Sequence, residues 1–142
     1  MQNSVNNSKA QNNKAIVLEA FETLFNKRDY AAAERFWSPN YTQHSAHIEP
    51  GRDGLFKLIK STPPTLKYEP GIIVAEGDFV IIHGRFSGIG PAVIATDIIR
   101  MKDGVLLEHW DVNTFAFGQT KPHDSSFTVN GAVDRQRFYG GD

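Results

Sequence analysis

An α+β domain is the fold class this sequence predicts, and three observations predict it. From Lys14 to Ile59 apolar residues recur at three- and four-residue spacing, the period of helices with one buried face. From Leu66 onward the period falls to two, in Val-, Ile- and aromatic-rich runs cut by glycine and proline turns. The 142 residues are 40% hydrophobic, which suits one ordinary domain with a real core. Helices followed by an antiparallel meander predict about three N-terminal helices packed on one face of a curved, mostly antiparallel sheet.

The elements follow in order. Residues 1–13 are polar and Asn-rich without apolar periodicity, and read as a disordered lead-in. The domain itself is expected over 14–118. Val17, Phe21 and Leu24 share one face of a first helix, with Leu18 and Phe25 beside them. Asp29 is placed to cap a second helix, Tyr30–Trp37, which Pro39 ends. Ser38–Gly51 reads as a long polar loop carrying Tyr41, His44 and His47. Asp53 begins a third helix with Leu55, Leu58 and Ile59 inward, stopped by Pro63-Pro64. Strands are expected at Leu66–Glu69, Ile72–Ala75, Phe79–Phe86, Ala92–Met101 and Val105–Phe117. Residues 119–142 form an extension of undecided order.

Composition narrows the function. Fifteen Lys+Arg against sixteen Asp+Glu leave a net charge of -1, with no basic excess for nucleic acid or an acidic membrane. No apolar run approaches the roughly 20 residues of a membrane span. Met1–Asn13 lacks the apolar core of a secretory signal, which predicts a cytoplasmic protein. Zero cysteines remove disulfides, thiolate zinc sites and Cys nucleophiles, so the chemistry falls to carboxylates and imidazoles.

Side-chain parity on the last hairpin gathers such groups. A three-residue loop at Lys102-Asp103-Gly104 would pair Met101 with Val105, Ile99 with Leu107, Asp97 with His109 and Ala95 with Asp111. Asp97, His109 and Asp111 then share one face with Met101, Ile99 and Leu107, while Thr96, Ile98, Arg100, Glu108, Trp110 and Val112 take the other. A two-residue loop would shift the register by one and separate Asp97 from Asp111. Three polar groups on a face meant for the core are paired or functional. A carboxylate there loses hydration, and its pKa rises toward that of a general base.

Asp111 and Asp97 are therefore candidate acid/base residues. His44 is a third candidate, in a loop placed to cap a cavity, with Trp37 and Tyr41 as aromatic walls. His83 could line the cavity with Ile99 and His109, although a single histidine in a strand is more often a hydrogen-bonded core or interface residue. Neither His44-x-x-His47 nor His109-x-Asp111 has the spacing of a zinc motif, so no metal is expected. Gly88-Ile89-Gly90-Pro91 leads into a strand rather than the helix N-terminus a phosphate site uses.

Asp97–Val112 (DIIRMKDGVLLEHWDV) resembles the last hairpin of SnoaL-like polyketide cyclases, members of the nuclear-transport-factor-2-like superfamily of cone-shaped α+β folds. Tyr41–His44, Pro50–Leu55 and Ala75–Phe86 are similar to the loop and central-strand motifs of the same family, and Glu108-His109-Trp110-Asp111 is the most specific element. The resemblance implies an apolar pocket between helices and sheet, no cofactor, and an aspartate, aligned with Asp111, as general acid/base. The position of Asp97 is a histidine in the characterised cyclases, so two carboxylates here share one pocket.

The enzyme this implies would remove a proton beside a carbonyl with Asp111. His44 or a protonated Asp97 would donate to the enolate oxygen, as in aldol cyclisation or isomerisation of a small apolar carbonyl compound. The alternative is a binding or dimerisation module using the same cavity. Trp110 and Val112, facing away from the helices, predict a homodimer through the sheet.

Overall fold

The computed structural model describes Gln2–Phe115, together with the backbone of two short strands, Phe127–Val129 and Ala132–Asp134. These two strands pair antiparallel within 119–142; the rest of that extension lies outside the described residues.

Helix α1 spans Gln2–Phe21 and runs on into a π-helical turn, Glu22–Asn26. The lead-in expected to be disordered is thus helical from Gln2. Helix propagation is inexpensive once a turn is nucleated, and the Lys9 ammonium is tied to Asp78 in the loop that opens β3. Asn13 is the first buried side chain, and after it Val17, Ala20, Phe21, Leu24 and Phe25 enter the core at the helical spacing.

Asp29 caps α2, its carboxylate accepting the Ala32 N–H at 3.0 Å. The helix ends at Ala33, four residues short of the expected Trp37. The chain there is claimed by the sheet, because the Leu106 N–H donates to the Phe36 carbonyl at 2.8 Å. Trp37–Gln43 is strand β1, where a loop was expected. It lies parallel to the last long strand at the sheet edge, the position in which Pro39 can be tolerated.

Helix α3, Gly51–Ser61, starts after Pro50 rather than at Asp53 and buries Leu55, Phe56 and Ile59. The Arg28 guanidinium closes its C-terminal end, donating to the carbonyls of Ile59 and Thr62 at 2.9 Å. A cation is favoured there because those carbonyls carry the negative end of the helix dipole.

Strands β2 (Lys67–Glu76), β3 (Phe79–Ser87), β4 (Val93–Lys102) and β5 (Val105–Phe115) form the meander, in the sheet order β1-β5-β4-β3-β2. The two short strands expected at 66–75 are one strand, interrupted between Pro70 and Ile73 by an irregularity. The inner face of the sheet carries Tyr68, Val80, Ile82, Ile99 and Leu106, all buried against the helices. Gly84 allows Tyr68 to lie across the sheet, since a Cβ at that position would fall 2.1 Å from the phenol oxygen.

Candidate functional site

The β4–β5 hairpin sets the site. Its loop is the two-residue Asp103-Gly104, with φ of 50° and 78°, the left-handed pair that hairpin twist favours. Lys102 therefore pairs with Val105 and Met101 with Leu106, a register different from the one expected. Leu107 then has no partner, and beyond this bulge Arg100 faces Glu108, Ile99 faces His109, and Asp97 faces Asp111. The bulge restores the parity that the short loop removes. Asp97, His109 and Asp111 do share one face, but Leu106 rather than Leu107 is buried beside them.

That face forms one wall of a cavity of ≈ 290 Å³ between sheet and helices. The remaining walls are almost wholly apolar, including Phe21, Phe25, Trp37, Leu55, Ile59 and Phe86. The rings of Phe21 and Trp37 stack with centroids 6.4 Å apart, and Phe25 meets Phe86 edge-on at 5.1 Å. Of the predicted site residues, Asp97, Asp111, His109, Trp37, Tyr41 and Ile99 all line this cavity.

His44 and His83 do not. One residue past β1, His44 turns to the opposite face, where its Nε2 lies 2.8 Å from Glu108 and its ring stacks on Trp110 at 4.9 Å. The acid/base candidacy of His44 is corrected on this geometry. Its backbone N–H still joins the sheet, donating to the His109 carbonyl. His83 shares the outer face with Phe79 and Ile81, its Nδ1 2.7 Å from the Thr96 hydroxyl. Partial burial holds its pKa below the usual imidazole value, and it too lies outside the cavity.

His109 bridges two partners in the buried wall. Its Nε2 is 2.6 Å from Asp97 Oδ1, and its Nδ1 is 2.5 Å from Gln43 Oε1. The Ser45 N–H also donates to Gln43 Oε1, while Gln43 Nε2 donates to the Tyr41 hydroxyl at 3.2 Å. With Gln43 so oriented, Nδ1 must carry a proton, which leaves Nε2 to exchange one with Asp97. Gln43 is the member of this hydrogen-bond chain that sequence reasoning missed. Read as a strand, Trp37–Gln43 would have put Tyr41 and Gln43 on one face and His44 on the other.

Burial raises the Asp97 carboxyl above its usual pKa; the His109 hydrogen bond opposes that and the nearby Asp111 charge adds to it. Asp97 Oδ2 is buried without a hydrogen-bond partner among the described residues. Burial, reinforced by Asp97, also holds Tyr41 well above the ordinary phenol range, so it stays a neutral donor. Asp111 is half-buried, and the Asn113 amide donates to its Oδ2 at 3.0 Å. Ligand atoms of Asp97, His109 and Asp111 lie within 4.8 Å of one another. A small cation held by all three would have to break the His109–Asp97 hydrogen bond if it took Nε2, or the Gln43 bond if it took Nδ1.

The profile of the SnoaL-like domain matches residues 17–109. Among solved structures, TsrD from Streptomyces laurentii is 27% identical with a TM-score of 0.61, over 70% of this chain and 89% of that one. A candidate ketosteroid isomerase from Kribbella flavida aligns with a TM-score of 0.66 at 11% identity, over 82% of this chain and 85% of that one. A candidate polyketide cyclase from Bacillus cereus gives a TM-score of 0.58 at 19% identity, over 66% of this chain and 69% of that one. The last two likenesses show the fold alone. No curated protein matches the chain in sequence. No described helix is long and apolar enough to cross a membrane.

Proposed function

The chain belongs to the family of SnoaL-like domains, and from that premise we propose that it is an acid/base enzyme, working without a cofactor on a small apolar carbonyl compound by aldol-type ring closure or isomerisation. The observation that carries this reading is the pairing of Asp97 with Asp111 on one wall of an otherwise apolar cavity, with Asp97 hydrogen-bonded to His109.

Asp111, the more accessible carboxylate, takes the proton beside the substrate carbonyl. The enolate oxygen that develops needs donors that are already in place. The Tyr41 phenol supplies one, and Asp97 supplies a second when the one proton it shares with His109 moves to Oδ2, which gives up the Nε2–Oδ1 bond. His109, steadied by Gln43, holds Asp97 in position and exchanges a proton with it. The apolar walls exclude water, which strengthens each of these interactions.

Deuterium incorporation at the α carbon of 2-tetralone, followed by NMR in D₂O, tests the reading. Exchange above the buffer rate is expected, with a loss of about 10²- to 10⁴-fold in Asp111→Asn, the usual worth of a positioned base. Wild-type exchange no faster than buffer, or full exchange in Asp111→Asn, would refute it. The first of these outcomes, combined with measurable ketone binding, selects the second reading, a ligand-binding module, which the apolar walls support equally well.

A further inference from the structure

We infer that this cavity selects its ligand by charge, admitting neutral and amine-bearing apolar molecules and refusing carboxylates and phosphates. The inference rests on the reading of the cavity as the substrate site and names the class of compound it takes.

Among the described residues that line the cavity there is no lysine and no arginine. The ionisable groups among those described lining residues, besides the Tyr41 phenol, are Asp97, His109 and Asp111. Asp97 and His109 are joined through one short hydrogen bond and, with one proton between them, are neutral as a pair wherever that proton sits. The charge of the wall is then set by Asp111, whose Oδ2 accepts a hydrogen bond from the Asn113 amide.

An anion entering this space would meet a carboxylate and, among the described residues, no counter-charge, and would give up its hydration as well. A protonated amine would gain a charge-assisted hydrogen bond to Asp111. The rings of Phe21, Trp37 and Tyr41 line the same space, and aromatic faces attract cations further. A neutral carbonyl compound meets neither the penalty nor the gain. The substrate class that fits best is therefore an apolar ring system carrying a basic nitrogen, with no acid group.

Calorimetric titration at about pH 7 with 2-naphthylmethylamine, 2-naphthylmethanol and 2-naphthoate compares one ring system in three charge states. The amine is expected to bind about tenfold more tightly than the alcohol, and the carboxylate at least about tenfold more weakly. In Asp111→Asn the amine should lose its preference and bind like the alcohol, with unchanged far-UV circular dichroism showing that the fold is intact. Equal binding of naphthoate and alcohol overturns the inference, as does an amine preference that survives Asp111→Asn. Failure of all three compounds to bind overturns it too. The exchange of 2-tetralone, a neutral ketone, judges the acid/base reading separately from this charge series.

Discussion

Asp97 and Asp111 are direct cross-strand partners, and Leu107 makes them so. The two-residue turn at Asp103-Gly104 alone would have set Asp97 opposite Trp110 and turned Asp111 to the outer face; the unpaired Leu107 restores the pairing. Like charges directly opposite on a sheet destabilise it by roughly 0.2–1 kcal/mol. The structure relieves this pair on one side only, by giving Asp97 the His109 imidazole and leaving Asp111 to the cavity and its amide neighbour. Equivalent residue types thereby stand in different surroundings, one buried against an imidazole and the other half-buried at the cavity.

This division has a pH signature. The raised pKa of Asp97 means that the folded protein keeps that proton to higher pH than the unfolded chain does. Its contribution to stability is full below the ordinary aspartate range and declines as pH rises through the raised value. An amide does not titrate, so Asp97→Asn should gain on the wild type as pH climbs from about 4 to about 8. Thermal unfolding of both proteins across that range checks the sign. A wild type that gains on the variant instead would show that His109 holds Asp97 ionised.

Gln43 holds the other end of the same hydrogen-bond chain. Without its carbonyl, His109 Nδ1–H loses its acceptor in a buried site and the ring loses its fixed tautomer. Gln43→Ala should slow tetralone exchange by about tenfold, the cost of one such bond. Imidazole ¹⁵N shifts should show His109 exchanging between tautomers, a change that a purely structural loss would not produce. Unchanged exchange with an unchanged spectrum would remove Gln43 from that hydrogen-bond chain.

How much of this was legible in the sequence depended on the range of the forces involved. The periods of three to four and then two place Val17, Phe21, Leu24, Val80, Ile82 and Ile99 in the core, because burial of a regular element leaves a regular trace. The Asp97–His109–Asp111 face was legible as a face, although the expected register was off by two; a shift of two preserves parity. Trp37–Gln43 left no trace as a strand. Its pairing to β5 is parallel and far away in sequence, and Pro39 argues locally for a loop. That single omission concealed Gln43 and placed His44 on the wrong side. The helical state of residues 2–13 was hidden for a related reason, since their side chains are almost all exposed and carry no apolar period.

His44 supplies the complementary control. It belongs to an outer-face network in which Glu108 accepts from His44 and from Arg100 Nε at 2.7 Å, interactions that pull the Glu108 pKa below its usual value. None of these atoms reaches the cavity. His44→Ala should leave tetralone exchange within about twofold of wild type, as exposed substitutions away from a site generally do. The fluorescence of Trp110, which loses its stacked ring, should change. A large fall in exchange would return His44 to the reaction.

The outer face of the sheet makes the last prediction. Val112 is 72% exposed and Val74 50%, with Phe79 and Ile81 also partly uncovered between them. Beside them Arg100 is paired with Glu108 and Lys67 with Glu69, so these charges are matched within the chain. An isologous two-fold contact requires such a self-complementary patch. A second copy of the chain, docked sheet to sheet, is the occupant we propose. Sedimentation equilibrium at micromolar concentration should report a dimer. Val112→Glu would set two carboxylates at an apolar contact, so it should yield a folded monomer of unchanged far-UV circular dichroism. A monomeric wild type would rule out the contact, and a dimer that withstands Val112→Glu would exclude this face as its seat.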